Sequence, residues 1–427
     1  MEKVLQYMWQ NRIWGESDKI LSDGRIVTLL DPGVLNTNSG PDFFNSKIKI
    51  EDIEWVGNVE IHLKASDWYA HKHDSDEAYD NIILHVVAVD DMPVYRKDGT
   101  KIPQLHLPLS QELTENINKL SSGMSTIRCA EYIPLLPSLT ISDCLESLAY
   151  ERMQRKATQI INLLEYYRGD WEQVCFILFA RSLGFGLNSE PFEMLAKSIP
   201  LSVLHHHSDN NLQIQALLFG QAGMLDMSVH ILDEYYQRLC REYYFLSRKY
   251  NLRQIPKHLW KYAKTRPANF PHRRIALLSK FAEGGFSLMR KILDAKADQE
   301  RLFEMFNMSL DDYWNENFAF DYPAKLKSNA ISRDSIELIL INTVAPLYYA
   351  YGNFIGDIEI EESGIDLLAS LKPEKNNIVS QWNTHGIKAE NALRSQALIQ
   401  LRREYCDLRK CLHCRIGNKI LRNIGYR

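Results

Sequence analysis

The stretch NSGPDFFNSKIKIEDIEWVGNVEIHLKASDWYAHKHDSDEAYDNIILHVV, Asn38 to Val87, decides how this chain is read. Ser46–Ile50 and Glu54–Lys64 are rich in β-branched residues at period-2 spacing, and Glu51-Asp52 between them suits a hairpin turn. Successive side chains of a strand point to opposite faces, so Glu60, His62 and Lys64 share one face while Val59, Ile61 and Leu63 share the other. Asp42 lies just ahead of the hairpin, and strand pairing brings it toward Glu60. Two carboxylates converging on one point repel each other unless a cation sits between them. A hard divalent ion such as Mg²⁺ or Mn²⁺ takes oxygen ligands and keeps several waters. Those waters supply a nucleophile for attack on a phosphoryl group. His62 or Lys64 would then orient or deprotonate the attacking water.

Further along the same stretch, His71-x-His73 has the spacing to chelate a borderline metal, with Asp67, Asp74 and Asp76 at hand as carboxylates. Three readings are open: a polar loop that caps the next element, a wall of the same cleft as Asp42 and Glu60, or an independent metal centre. His85 falls mid-strand in Ile82–Val89 and reads as a core histidine, with Trp68 and Tyr79 as packing residues.

Working outward, residues 2–13 predict a helix, with Val4, Leu5, Met8, Trp9 and Ile13 at helical spacing. Arg25–Leu30 and Leu105–Leu107 add strands, separated by turn signals such as Asp31-Pro32-Gly33 and Asp98-Gly99. From about Pro137 onward the pattern is helical, with helices expected at 171–183, 190–198, 211–223, 227–249, 271–294, 332–352, 362–371 and 386–405. His205-His206-His207 reads as a solvated loop. The expected fold is α+β: a sheet-bearing domain with flanking helices over 1–115, a helical domain over 116–355, and a C-terminal helical segment over 356–427.

With 427 residues, 45% hydrophobic and 24% charged, the chain has ordinary globular composition. A net charge of −4 gives no global field for nucleic acid, so such binding would need a local basic patch. The opening MEKVLQYMWQNRIW lacks a signal-peptide pattern, and no run of about 18 apolar residues predicts a membrane span. The expectation is a cytoplasmic protein with no membrane partner and reduced thiols.

Two later stretches carry chemistry. In Arg266-Pro267-Ala268-Asn269-Phe270-Pro271-His272-Arg273-Arg274, Pro271 suits the first position of a helix. Arg273 and Arg274 then sit at its positive end, an unfavourable place that suggests an anionic partner shared with Arg266. An inter-helix corner held by structural contacts is the other reading. Near the end, Cys406-x4-Cys411-x2-Cys414 follows a basic helix, Arg394–Tyr405. Thiolates at this spacing can wrap one tetrahedral zinc, or contribute to an iron–sulfur cluster, with Cys129 as fourth ligand. Otherwise the cysteines are apolar fillers. Arg402, Arg403, Arg409, Lys410, Arg415, Lys419, Arg422 and Arg427 make this tail the most basic part of the chain and fit phosphate-backbone contact.

Pro41-Asp42 followed by Glu60-x-His62, on a predicted hairpin behind a leading helix, resembles the PD-(D/E)XK nuclease superfamily over about residues 1–110. That resemblance implies a restriction-endonuclease-like sheet with Asp42 and Glu60 as Mg²⁺ or Mn²⁺ ligands. The superfamily's catalytic lysine slot falls on His62, a departure, with Lys64 as a substitute on the same face. Some members tie their chain ends together through one distant cysteine and three C-terminal ones. Cys129 with Cys406, Cys411 and Cys414 is similar, at different spacing.

The chain as a whole resembles a bacterial family known only as domain of unknown function 2851. The phrases that carry the likeness are Gly40-Pro41-Asp42-Phe43, Gly57 to His62, Ser66-Asp67-Trp68, His71-x-His73-x-x-Asp76-x-x-Tyr79, Arg266 to Pro271 and the terminal cysteines. It implies no activity.

The leading expectation is a metal-dependent nuclease or nuclease-like DNA-processing protein with nucleic acid as partner. The alternatives are a non-catalytic nucleic-acid or protein scaffold with a degenerate site, and a cupin-like or other metal hydrolase built on His71 and His73.

Overall fold

A computed structural model describes residues 1–13, 19–36, 38–109, 111–122, 125–226, 228, 231, 233–263, 265, 269–323 and 330–424. The chain divides into two compact units, Met1–Cys144 with Leu401–Arg427, and Leu145–Gln400.

The first unit is built on a mixed sheet, seven-stranded among the described residues. Helix α1 (Glu2–Asn11) leads in, burying Val4, Leu5, Tyr7, Met8 and Trp9 along one face. Strands β1 (Lys19–Ile20), β2 (Ile26–Asp31), β3 (Val34–Leu35), β4 (Phe43–Ile50) and β5 (Ile53–Lys64) pair antiparallel, with β3 off the main path against β4. The expected hairpin of β4 and β5 turns at Glu51-Asp52, with Ile50 opposite Ile53. Helix α2 (Asp67–Ala70) and a short 3₁₀ turn (Glu77–Tyr79) then carry the chain across to β6 (Ile82–Val89). Strand β6 runs parallel to β5, and β7 (Gln104–His106) runs parallel to β6.

This order leaves β5 central, with a neighbour on each side. Its residues 59–62 are all buried, so two polar side chains of the strand, Glu60 and His62, are held inside the protein. Gly57 permits the close approach of β5 to β6, since a Cβ there would lie 2.4 Å from Ile83 Cγ2 and 2.8 Å from the Asn81 carbonyl. At the sheet's ends, Leu21 bridges to Leu105 and Ser22 N–H donates to the Gln104 carbonyl at 3.0 Å, so the β1 and β7 edges meet. Helix Gln111–Ser122, which the sequence pattern does not predict, follows.

The second unit is helical around one large apolar cluster that includes Phe176, Phe179, Phe219, Phe286, Phe306, Trp314 and Tyr348. Asp170, Asp233, Asp298 and Asp357 each cap a helix by accepting N–H bonds in its first turn. The helix expected over 271–294 is two helices, Pro271–Ala282 and Leu288–Ala295. Gly284 and Gly285, at φ 69° and 95°, make the break. The Asp233 cap starts the helix expected over 227–249 at Glu234. The helix expected over 386–405 is α-helical over Ala392–Gln400 and continues as a π-turn, Leu401–Cys406. His207 is buried rather than solvated, with Nδ1 2.6 Å from Gln213 Oε1 and Nε2 2.9 Å from the Tyr250 hydroxyl. The helix spanning Arg333–Ile355 is long and apolar enough to cross a membrane, but 67% of its apolar window is buried within the protein, as in a core helix.

Candidate functional site: a histidine–carboxylate cluster on the central strand

Asp42 sits at the mouth of β4, where the Asp42 N–H donates to Glu60 Oε2 at 3.1 Å. Its carboxylate accepts from the Ile61 N–H at 3.0 Å and from Gln6 Nε2 at 2.8 Å. Burial first, and then the Glu60 charge, push the Asp42 carboxyl up to about 7. Glu60 turns its other oxygen, Oε1, toward two imidazoles, 3.4 Å from His73 Nε2 and 3.5 Å from His62 Nε2.

His62 is buried between further rings. Its Nδ1 lies 2.9 Å from His85 Nε2 and its Nε2 lies 3.1 Å from His71 Nδ1. Burial and the surrounding imidazoles push His62 down to about 2, and burial with His73 pushes His85 down to about 3. Both rings are therefore neutral at neutral pH, and in their 2.9 Å contact one nitrogen donates and the other accepts, so a His62 Nδ1–H donated to His85 leaves the His62 Nε2 lone pair to a metal.

A local backbone motif delivers His71 and His73. Helix α2 ends with Lys72 in the left-handed region at φ 62°. The Lys72 N–H donates to the Tyr69 carbonyl and the His73 N–H to the Trp68 carbonyl, both at 3.0 Å. This is a Schellman cap with lysine where glycine is usual. Its accompanying apolar contact is made by the His73 ring against Trp68, with centroids 5.4 Å apart. Tyr79 stacks on the other side of His73 at 3.7 Å, and Trp68 is itself core, with Nε1 bonded to the Tyr95 carbonyl. His62, His71 and His73 thus present ligand nitrogens that all lie within 4.8 Å of one another.

The remaining candidates lie around this centre. The Asp67 carboxylate accepts the Lys64 N–H at 3.0 Å. Asp76 caps the 3₁₀ turn through the Ala78 N–H at 2.9 Å, the capping role considered for this loop. Asp74 is half-buried, and Lys64 is exposed at the end of β5.

Two residues that the sequence reading did not single out also face the cluster. Gln6 holds Asp42, and Glu2, one turn earlier on α1, is raised by burial and then by the nearby Glu60 charge. Their four-residue spacing was the available signal. His85, read as a core residue, is buried, and its Nε2 contact makes it the partner that orients His62.

Arg273 and Arg274 are buried in the helical unit. Arg273 donates to the Trp314 carbonyl. Arg274 donates to Asn269 Oδ1 and, at 3.4 Å, to Ser335 Oγ, and its guanidinium lies 4.6 Å from the Phe185 ring centre. Burial lowers Arg274 to about 10. Arg266 lies outside the described residues. In the basic tail, Arg402 pairs with Asp407 at 2.6 Å.

Fold and site together define a mixed α+β protein that carries a buried histidine–carboxylate cluster on the central strand of its sheet. Residues 2–377 match a family described as "Protein of unknown function (DUF2851)", and the chain belongs to that family. Neither the curated proteins nor the solved structures contain a match to the chain.

Proposed function

We propose that this protein is a divalent-metal-dependent hydrolase that cleaves phosphodiester bonds in nucleic acid. The observation that carries the reading is Glu60 Oε1, 3.4 Å from His73 Nε2 and 3.5 Å from His62 Nε2, with Asp42 bonded to the same carboxylate. Three imidazole nitrogens beside a carboxylate make a donor set suited to Mn²⁺ or Zn²⁺, softer than the oxygen-only set that Mg²⁺ prefers. His62, His71, His73 and Glu60 would hold the ion, with Asp42 as a further oxygen donor. Such an ion supplies Lewis acidity and a bound water of lowered pKa.

The protein's own groups do the rest. His85 fixes the His62 ring through its 2.9 Å contact. Glu2 and Asp67 are further carboxylates near the cluster, available to accept a proton. Support for a phosphodiester substrate comes from the arrangement: an aspartate at the mouth of one strand, a glutamate on the next strand of the hairpin, and a leading helix whose Gln6 holds that aspartate. That arrangement resembles a restriction-endonuclease-like site and supports the reading. The histidine in the lysine slot and the exposed position of Lys64 favour, as second reading, a scaffold that binds metal without turnover.

The test is cleavage of labelled single- and double-stranded DNA and RNA with Mn²⁺ or Zn²⁺, comparing wild type with Glu60→Ala. Cleavage that disappears in the variant supports a hydrolase. Stoichiometric metal in a folded wild type, with background equal in both proteins, would leave the scaffold. Absence of metal binding in the wild type would remove both readings.

A further inference from the structure

Four cysteines remote from the histidine cluster converge inside the sheet-bearing unit. Cys129, Cys406, Cys411 and Cys414 line one cavity, together with Leu120, Arg128 and Tyr405. Cys129 comes from the turn ahead of the 3₁₀ segment Ala130–Leu135, and the other three come from the last stretch of the chain. None is in a disulfide.

Convergence from such distant positions is not what apolar filling produces. Cys175 and Cys240 fill positions in the apolar core of the helical unit, whereas these four share a single cavity. The local backbone is shaped for ligation. Cys414 immediately precedes helix Arg415–Ile424, and the N–H groups of Ile416 and Gly417 in that helix's first turn face its sulfur. Cys411 Sγ lies 3.8 Å from the Leu120 carbonyl, and the Cys411 carbonyl packs so close to Gly417 that a Cβ there would lie at 2.2 Å.

Spacing decides the metal class. Thiolates at about 2.3 Å from one zinc stand roughly 3.8 Å apart around a tetrahedron. Among the described residues, the grouping of three or more ligand atoms within 4.8 Å is the histidine one, so no three of these sulfurs all lie within that distance of one another. Four sulfurs spread around a common cavity fit a polynuclear centre, in which each thiolate binds its own iron.

We propose that Cys129, Cys406, Cys411 and Cys414 hold a [4Fe–4S] cluster, each thiol giving up its proton on ligation. The cluster fastens residues 401–427 to the segment around Cys129. It is independent of the hydrolase reading, because its ligands lie outside the histidine cluster. Arg128, also on the cavity wall, supplies positive charge beside the thiolates.

The experiment is metal and sulfide analysis of the full chain purified anaerobically, before and after reconstitution with equal ferrous and ferric iron and sulfide, alongside Cys129→Ser, Cys406→Ser and Cys240→Ala. The expected result is about four irons and four acid-labile sulfides per chain with broad visible absorption. Cys240→Ala should retain them, and both serine variants should lose at least half. Limited proteolysis should release the C-terminal segment faster in the serine variants. One zinc per chain without sulfide overturns the cluster in favour of a mononuclear site. Failure of the wild type to bind iron after reconstitution, or equal iron in all variants, overturns it outright. The wild-type result stands even where a serine variant fails to fold.

Discussion

Asp42 and Glu60 hold each other across a β-hairpin. The Asp42 N–H donates to Glu60 Oε2 at 3.1 Å, and Asp42 Oδ2 accepts the N–H of Ile61, the next residue after Glu60, at 3.0 Å. This reciprocal arrangement leaves Glu60 Oε1 free to face His62 and His73. Glu60→Gln keeps the side chain's shape and removes the charge. Its Mn²⁺ or Zn²⁺ affinity should fall by at least about 100-fold, the upper end of what losing an outer-shell partner costs. Calorimetric titration checks this, and unchanged affinity would take Glu60 out of the proposed metal site.

His85 acts through His62. His85→Phe keeps the ring volume but removes the nitrogen 2.9 Å from His62 Nδ1. Metal affinity should drop about 10–100-fold. Stability should fall by roughly 1–3 kcal/mol, because a buried ring nitrogen loses its partner. Titration and denaturant unfolding read the two effects separately.

Lys72 occupies a left-handed position at φ 62° in the cap that places His71 and His73. A β-branched side chain there is strained, so Lys72→Val should destabilise the protein by about 1–2 kcal/mol and weaken metal binding. Lys72→Gly relieves the conformational cost at the expense of unfolded-state entropy and should change stability by no more than about 1 kcal/mol. Equal effects of valine and glycine in parallel unfolding and titration experiments would show that the cap does not position the histidines.

Gly57 lies at a close approach of β5 to β6, and a methyl group would meet Ile83 Cγ2 at 2.4 Å. Gly57→Ala should cost about 1–3 kcal/mol through overpacking. The same variant should weaken metal binding, because the displaced strand carries Glu60 and His62. Urea unfolding monitored by circular dichroism gives the first effect and calorimetry the second.

In the helical unit, His272 is buried against Phe219, Tyr262 and Phe320, and burial lowers it to about 3. The unfolded chain takes up a proton near pH 6.5 that the folded protein refuses until about pH 3. The stability that neutral His272 allows is therefore intact above pH 6.5 and falls as pH drops through the interval below it. Each pH unit removes up to about 1.4 kcal/mol. His272→Phe should lower the pH slope of unfolding free energy between pH 6 and 4, by about one proton. An unchanged slope would show that this ring is not what the acid side of the profile reports.

Much of the architecture was legible in the residues. Period-2 runs located β4, β5 and β6, and the helix expected over 171–183 is Trp171–Leu183, with Asp170 at its cap. Local signals of this kind work because turn chemistry and capping are settled within a few residues. The same signals misled where a break is local but its consequence is not. Gly284-Gly285 inside an otherwise apolar-periodic run divided one expected helix into two. The first-turn position of Arg273 and Arg274 left an anionic partner and a structural inter-helix corner both open, and packing buries both residues.

What the sequence by itself determined was the hairpin, the face shared by Glu60 and His62, the grouping of chemistry between Asp42 and Asp76, and membership of the chain in its family. Strand period and turn residues act over short distances and can be read in order. What only the tertiary structure decided was which of these groups meet. The parallel register of β5 and β6 sets His85 beside Glu60, and the left-handed residue after α2 turns His71 and His73 onto His62. Helix α1 brings Gln6 to Asp42, and the chain's end carries Cys406, Cys411 and Cys414 to Cys129. Each of those meetings depends on long-range packing, which one-dimensional spacing does not encode.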